Sequence, residues 1–170
     1  MLSGLKIKEE LGKCIHIVPF KTENLNPNSY DLTLDNILRI YERGVLDVKH
    51  DNPTRKEIIP ESGYRLLPGI LYLGSTVETT ETLKYIPMIE GKSSLARLGI
   101  NIHATAGFGD IGFCGKWTLE ISVIQPVIIY PFMKIAQIYF DSIEGPYDLY
   151  KGKYQHQGSA VPSQSWREFI

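Results

Sequence analysis

The chain has little of what staples small secreted or metal-bound proteins. Its 170 residues include two cysteines, Cys14 and Cys114, too few and too far apart for a disulfide framework, so both are expected as reduced thiols. His16, His50, His103 and His156 are scattered without ligand spacing, which argues for structural or surface roles over zinc binding. No apolar run is long enough to span a bilayer and no cleavable signal pattern is evident, so the cytoplasm is the expected location. An excess of one charge is also missing. With 18 Lys and Arg against 19 Asp and Glu, the net charge of −1 offers no reason to invoke nucleic acid or a membrane surface as partner. There is no internal repeat and no low-complexity stretch. What remains, 43% hydrophobic and 22% charged residues, fits a single domain, 1–170, with a real core.

Punctuation and alternation outline the elements. A short amphipathic helix is expected from Ser3 to Leu11, with Ser3 as N-cap, Leu5, Ile7 and Leu11 apolar and Gly12 as terminator. Strands are expected at Ile15–Val18, Ser29–Leu34, Ile37–Tyr41, Tyr64–Leu67, Ile70–Glu78, Tyr85–Glu90, Thr118–Ile124, Val127–Ile129 and Lys134–Phe140. Many short strands with few helices favour a mainly β chain, a barrel or jelly-roll-like sandwich.

Three neighbouring segments carry candidate chemistry. In Glu90-Gly-Lys-Ser-Ser-Leu-Ala-Arg-Leu-Gly99, a short helix at 94–98 would begin beside Lys92, Ser93 and Ser94, where unpaired N–H groups attract an anion. Ser93 and Arg97, four apart, would share a face, with Leu95 and Leu98 turned to the core. An ordinary capped turn with a solvated arginine fits the same residues. In Trp117-Thr-Leu-Glu-Ile-Ser-Val123, Trp117, Leu119, Ile121 and Val123 alternate with Thr118, Glu120 and Ser122. The second face is either solvated or a pocket wall, and in a pocket desolvation would raise the Glu120 pKa toward the range of a general base. Asp110 lies in the glycine-dense loop Gly107-Phe-Gly-Asp-Ile-Gly-Phe-Cys-Gly115, which suits either a β-turn or a close backbone approach to a ligand.

In combination these segments resemble the deoxycytidine triphosphate deaminases, which share a fold with the trimeric dUTPases. The resemblance rests on Gly91-Lys-Ser-Ser-Leu-Ala-Arg-Leu-Gly, His103-x-Thr-Ala-Gly with Asp110, Gly115-x-x-Thr-Leu-Glu120, Pro27-Asn-Ser-Tyr-Asp-Leu-Thr-Leu34, and Tyr147 with Gly152-Lys-Tyr-Gln-x-Gln-Gly158. It implies a dUTPase-like distorted β-barrel. It also implies a metal-free deaminase, and the chain has neither the His-x-Glu nor the Pro-Cys-x-x-Cys signature of the zinc enzymes.

The roles that follow are those the resemblance implies. Glu120 shuttles protons while water adds at cytosine C4; Ser93 and the Ala106 carbonyl hold that water, and Arg97 organises both and keeps Glu120 ionised. Asp110 receives the 3′-hydroxyl, Phe113 packs on the sugar and excludes a 2′-hydroxyl, and the backbone around Trp117 and Thr118 reads the base. Lys92, Ser93, Ser94, Tyr147, Lys153 and Gln157 contact the triphosphate, with Mg²⁺ as its counter-ion. Sites are shared between subunits of a homotrimer, and dTTP acts as a feedback inhibitor. Residues 141–170, rich in Gly, Pro and Tyr, read as a mobile tail, either without a role or closing over the nucleotide.

Three departures bear on the product. Lys92 stands where Arg is usual, replacing a fork by a point charge. Gly109-Asp110-Ile111 replaces the commoner Ile-Asp-Pro or Ile-Asp-Ala. Ala106-Gly107 stands where enzymes stopping at dUTP often have Ala-His, and Gly107 would leave space beside Asp110 for a second water at the α-phosphate. The expectation is dCTP deamination to dUTP and ammonia, with a bifunctional enzyme giving dUMP and pyrophosphate as the alternative. A dUTPase alone would lack Glu120, and a non-catalytic relative would not be expected to keep Ser93, Arg97, Asp110 and Glu120 together.

Overall fold

A computed structural model describes residues 1–42 and 44–170. Helix α1 spans Gly4–Glu10. Among the described residues eleven strands follow in chain order: β1 Ile15–Val18, β2 Tyr30–Thr33, β3 Ile37–Tyr41, β4 Thr54–Ile58, β5 Tyr64–Leu66, β6 Tyr72–Thr82, β7 Ile86–Gly91, β8 Ile100–Asn101, β9 Cys114–Val123, β10 Val127–Ile129 and β11 Lys134–Asp141. A one-turn helix α2, Ser93–Ala96, separates β7 from β8. The chain is mainly β, as expected. Among the described residues no helix is long and apolar enough to cross a membrane.

The largest sheet runs β4-β3-β6-β9-β8, with β1 paired to the far end of β6; β2-β11-β7 and β10-β5 form two smaller sheets. All these pairings are antiparallel. The sheets share one core, in which Tyr30, Leu32, Leu38, Leu119, Ile121, Ile135, Ile138 and Phe140 are almost fully buried. Alternation on β9 holds for Leu119, Ile121 and Val123, which face that core; Trp117, expected on the same face, is only partly buried and lines a cavity together with Thr118 and Glu120.

β6 and β9 form the longest pairing. Its register shifts between Ser75↔Thr118 and Thr79↔Lys116, leaving extra residues on β6. Such a bulge turns side chains inward. Thr76 Oγ1 accepts the Trp117 amide at 2.9 Å and donates to the Glu78 carbonyl at 2.8 Å. The buried Glu78 carboxylate accepts from the Thr33 amide at 2.9 Å and the Thr33 hydroxyl at 2.8 Å, tying β2 to the large sheet.

Some boundaries differ from the sequence reading. The strand expected at Ile70–Glu78 runs from Tyr72 to Thr82, because the bulge carries pairing onward. β4 was not expected, since Arg55, Lys56 and Glu57 mask its pattern; it is an edge strand, where charge is the usual protection. α1 begins after Ser3, whose hydroxyl accepts the Lys6 amide at 3.2 Å, and it buries Ile7 while Leu5 is exposed. The helix expected at 94–98 is shorter and ends at Ala96, with Arg97 as C-cap and Lys92 as an N-cap that makes no side-chain cap bond. Leu98 is exposed, not core-facing, because the chain turns at Gly99 (φ 81°) toward β8.

The start of α2 is held by an ion-pair cluster. Lys92 Nζ lies 2.6 Å and Lys134 Nζ 3.3 Å from the buried Asp31 carboxylate, which also accepts from Asn26 Nδ2 at 2.8 Å. Burial pushes this carboxyl up, yet the hydrogen bonds of Lys92 and Asn26 and the charge of Lys92 outweigh it and hold its pKa below the ordinary range. A lowered pKa means stability that is present above about pH 3.9 and lost as pH falls through the folded value. Asp31→Asn should therefore cost on the order of 3 kcal/mol at neutral pH in denaturant unfolding, with the deficit shrinking in acid.

Candidate active site

The face of β9 opposite the core opens into a cavity of about 470 Å³. Of the residues singled out in the sequence, Ala106, Asp110, Phe113, Trp117, Thr118, Glu120 and Gln157 line it. Lys92, Ser93, Ser94, Arg97, Tyr147 and Lys153 are not among the lining residues. One chain thus gathers a carboxylate, an aspartate loop and aromatic walls, and leaves the α2 residues apart.

Glu120 sits across from Leu73 of β6. Burial raises its pKa, and the Ala104 backbone amide and the charge of His103 only partly offset that rise. Arg97 of the same chain is not among the groups acting on it. The reason is topological: α2 packs toward β8, which joins β9 at Ile100↔Val123 and Asn101↔Ser122, beyond Glu120.

The loop before β9 lies against β7. The Ile89 amide donates to the Gly107 carbonyl at 2.7 Å, and a Cβ on Gly107 would come within 2.6 Å of the Ile89 carbonyl oxygen and 2.8 Å of His103 Nε2. Gly107 therefore does not leave open space for a second water; the absent side chain allows close packing instead. Gly109 is pressed in the same way against the Trp117 ring and Pro87. The Trp117 indole donates to Thr80 Oγ1 at 2.7 Å, so its ring is a fixed spacer between loop and strand. Next to this loop, His103 Nδ1 is buried without a partner and Nε2 lies 3.5 Å from Glu90.

The segment after β11 lies over the same strand. The Lys116 amide donates to the Gln157 carbonyl at 2.9 Å, the His156 amide to the Cys114 carbonyl at 2.8 Å, and the Val161 amide to Thr118 Oγ1 at 3.1 Å. Gln157 Nε2 donates to the Lys116 carbonyl at 2.7 Å, so one of the N–H groups expected on phosphate is already engaged, and its Oε1 is buried without a partner. Three other expected phosphate contacts are engaged elsewhere: Lys92 on Asp31, Lys153 on Glu168, and the Tyr147 hydroxyl on the Leu83 carbonyl at 3.2 Å. Ser93, Ser94 and Arg97 are exposed on α2.

The sequence reading passed over Tyr41, Leu71, Leu73 and Tyr150 in the cavity wall. Leu73 reaches the site through strand register and Tyr41 through β3, which no local pattern encodes. The density of tyrosines after residue 146 was the available signal for Tyr150.

Comparison with known proteins agrees with this geometry. Residues 1–143 match the family model described as dCTP deaminase-like. A protein of Clostridium botulinum named dCTP deaminase, dUMP-forming, is 55% identical over 170 residues, covering 99% of this chain and 98% of the relative. A protein of the same name from Hathewaya histolytica is 54% identical with 99% of each chain covered. The chain belongs to the dCTP deaminase-like family. In architecture it is similar to the crystal structure of 2′-deoxycytidine 5′-triphosphate deaminase from Agrobacterium tumefaciens, with a TM-score of 0.63 and 19% identity over 82% of this chain and 46% of that one.

The buried carboxyl makes a testable statement about stability. A folded-state pKa raised above the unfolded value stabilises the fold fully below about pH 4.3, and that contribution is lost as pH rises through the raised pKa. Thermal unfolding of Glu120→Gln should match the parent near pH ~4 and exceed it near pH ~8. A variant that is less stable at both values would contradict the assigned burial.

Proposed function

We propose that this chain deaminates dCTP and carries the product on to dUMP, releasing ammonia and pyrophosphate. The observation that carries the chemistry is the desolvated Glu120 carboxylate in a cavity that also presents Asp110 and the aromatic wall of Phe113 and Trp117. The relatives' dUMP-forming names reverse the order of preference expected from sequence, where dUTP came first.

In this reading Glu120 takes a proton from a water aimed at cytosine C4 and passes it to N3, then takes the second proton from the resulting C4 hydroxyl and passes it to the departing amine, so ammonia leaves and a uracil remains. A carboxyl with raised proton affinity suits both halves of such a shuttle. Ala106 offers its carbonyl to the water, Asp110 receives the 3′-hydroxyl, and Phe113 packs on the sugar. Hydrolysis then places a second water in line with the α-phosphorus, and pyrophosphate departs. Mg²⁺ enters as the triphosphate's own counter-ion and neutralises charge there. Among the described residues no group of three or more His, Cys, Asp or Glu is gathered around a common point. No step of this mechanism uses zinc.

The missing phosphate half is supplied by a second copy. Ser93, Ser94 and Arg97 are exposed on α2, away from their own chain's cavity, and a closed homotrimer lets α2 of one subunit complete the cavity of the next. A bound polyanion competes with Glu168 for Lys153. dTTP, sharing sugar and triphosphate with the substrate, competes for the same cavity.

Incubation with dCTP and Mg²⁺ should yield dUMP, pyrophosphate and ammonia without a build-up of dUTP. Accumulating dUTP would restore the simpler deaminase. Glu120→Gln and Arg97→Ala should each lower deamination by at least ~10²-fold. Refolded together in equal amounts, the two inactive variants should recover about a quarter of parental activity, since that share of shared sites is intact in randomly mixed trimers; no recovery would place both residues in one chain's site.

A further inference from the structure

Tyr150 is built into the cavity wall from several sides. Its amide donates to the Ile111 carbonyl at 2.7 Å, and its hydroxyl accepts the Tyr154 amide at 3.2 Å. Two glycines make room for it. A Cβ on Gly112, whose φ is 90°, would come within 2.9 Å of the Tyr150 nitrogen, and one on Gly152 would strike the Tyr150 ring itself. The ring meets Phe113 edge-on, with centroids 5.9 Å apart and planes at 67°.

Phe113 is 7% exposed; the Trp117 ring lies 5.0 Å from it, and Gly115 also closes on it, since a Cβ there would come within 3.1 Å of the Phe113 ring. Both belong to β9 and move only with the sheet. Tyr150 arrives on the separate segment after β11. It also lines a smaller cavity of about 190 Å³ beside the first, together with Asp110 and Tyr147. Tyr150 thus lines both cavities, whereas Phe113 lines only the larger.

We propose that Tyr150 is a positioning residue for sugar selection: it backs Phe113 so that the ring cannot retreat toward the smaller cavity and admit a 2′-hydroxyl. This rests on the deoxynucleotide reading above. An apolar wall rejects an added hydroxyl only weakly, by about 10² at best. A wall that yields loses most of that margin, so its support determines the selectivity.

The test compares kcat/KM for dCTP and CTP in the parent, Tyr150→Ala, Tyr150→Phe and Gly152→Ala. In Tyr150→Ala the preference for dCTP should fall at least ~10-fold through better use of CTP. Tyr150→Phe keeps the ring edge and should keep the preference. Gly152→Ala leaves every wall side chain chemically intact but displaces the Tyr150 ring, and should loosen the preference in the same direction. An equal loss on both nucleotides, with the preference unchanged in Tyr150→Ala and Gly152→Ala, overturns the proposal. If Tyr150→Ala does not fold, Gly152→Ala and Tyr150→Leu decide by the same criterion. A parent that turns over neither nucleotide sinks the functional reading alone. The ratio of Kd for dCTP and CTP, measured by calorimetry, then decides: a ratio that falls in the same variants supports the role of Tyr150, and one that stays constant rejects it.

Discussion

The antiparallel pairing of β6 with β9, and the bulge within it, is the constraint on which the rest of the molecule depends. On one side of the bulge the register sets Glu120 opposite Leu73, so the carboxylate emerges over a wall of leucine and not into water. On the other side, the extra β6 residues turn Thr76 toward the Trp117 amide and bury the Glu78 carboxylate against Thr33. A slip of one residue would send every β9 side chain to the opposite face. The bulge resists such a slip because its inward groups are satisfied only in this register: a buried carboxylate left without donors is more costly than the ladder bonds given up.

From that fixed pair the site is assembled by close packing. Gly107 and Gly109 bring the Asp110 loop against β7 and Trp117, while Thr80 holds the indole in place. The segment beyond β11 then adds Tyr150, Gln157 and Val161 to the wall. Its hydrogen bonds run to backbone groups of Cys114 and Lys116, so it joins the strand much as a further strand would.

Within the single chain several lysines are already paired. Lys92, Lys153 and Lys116 each sit on a carboxylate, of Asp31, Glu168 and Asp35 respectively. Arg97 on α2 is an exposed cation, and it lies outside the cavity of its own chain. Glu120 and Arg97, the two ends of the proposed site, are thereby separated within one chain.

By itself the sequence determined the β class, most strand positions and the core face of β9, because period-two alternation and β-branched runs are local signals. It also determined the family, through short motifs in which residue type and spacing are both constrained. It could not show β4, whose charges serve an edge, nor the bulge, which exists only as a mismatch between two strands far apart in the chain. The proximity of Leu73, Tyr41 and Tyr150 to Glu120 was likewise hidden. So was the separation of Arg97 from Glu120, since four-residue spacing fixes a helix face but not where that face points. These were decided by the tertiary structure, because register, sheet order and the path of the returning tail are set by which long-range contacts satisfy every buried polar group at once.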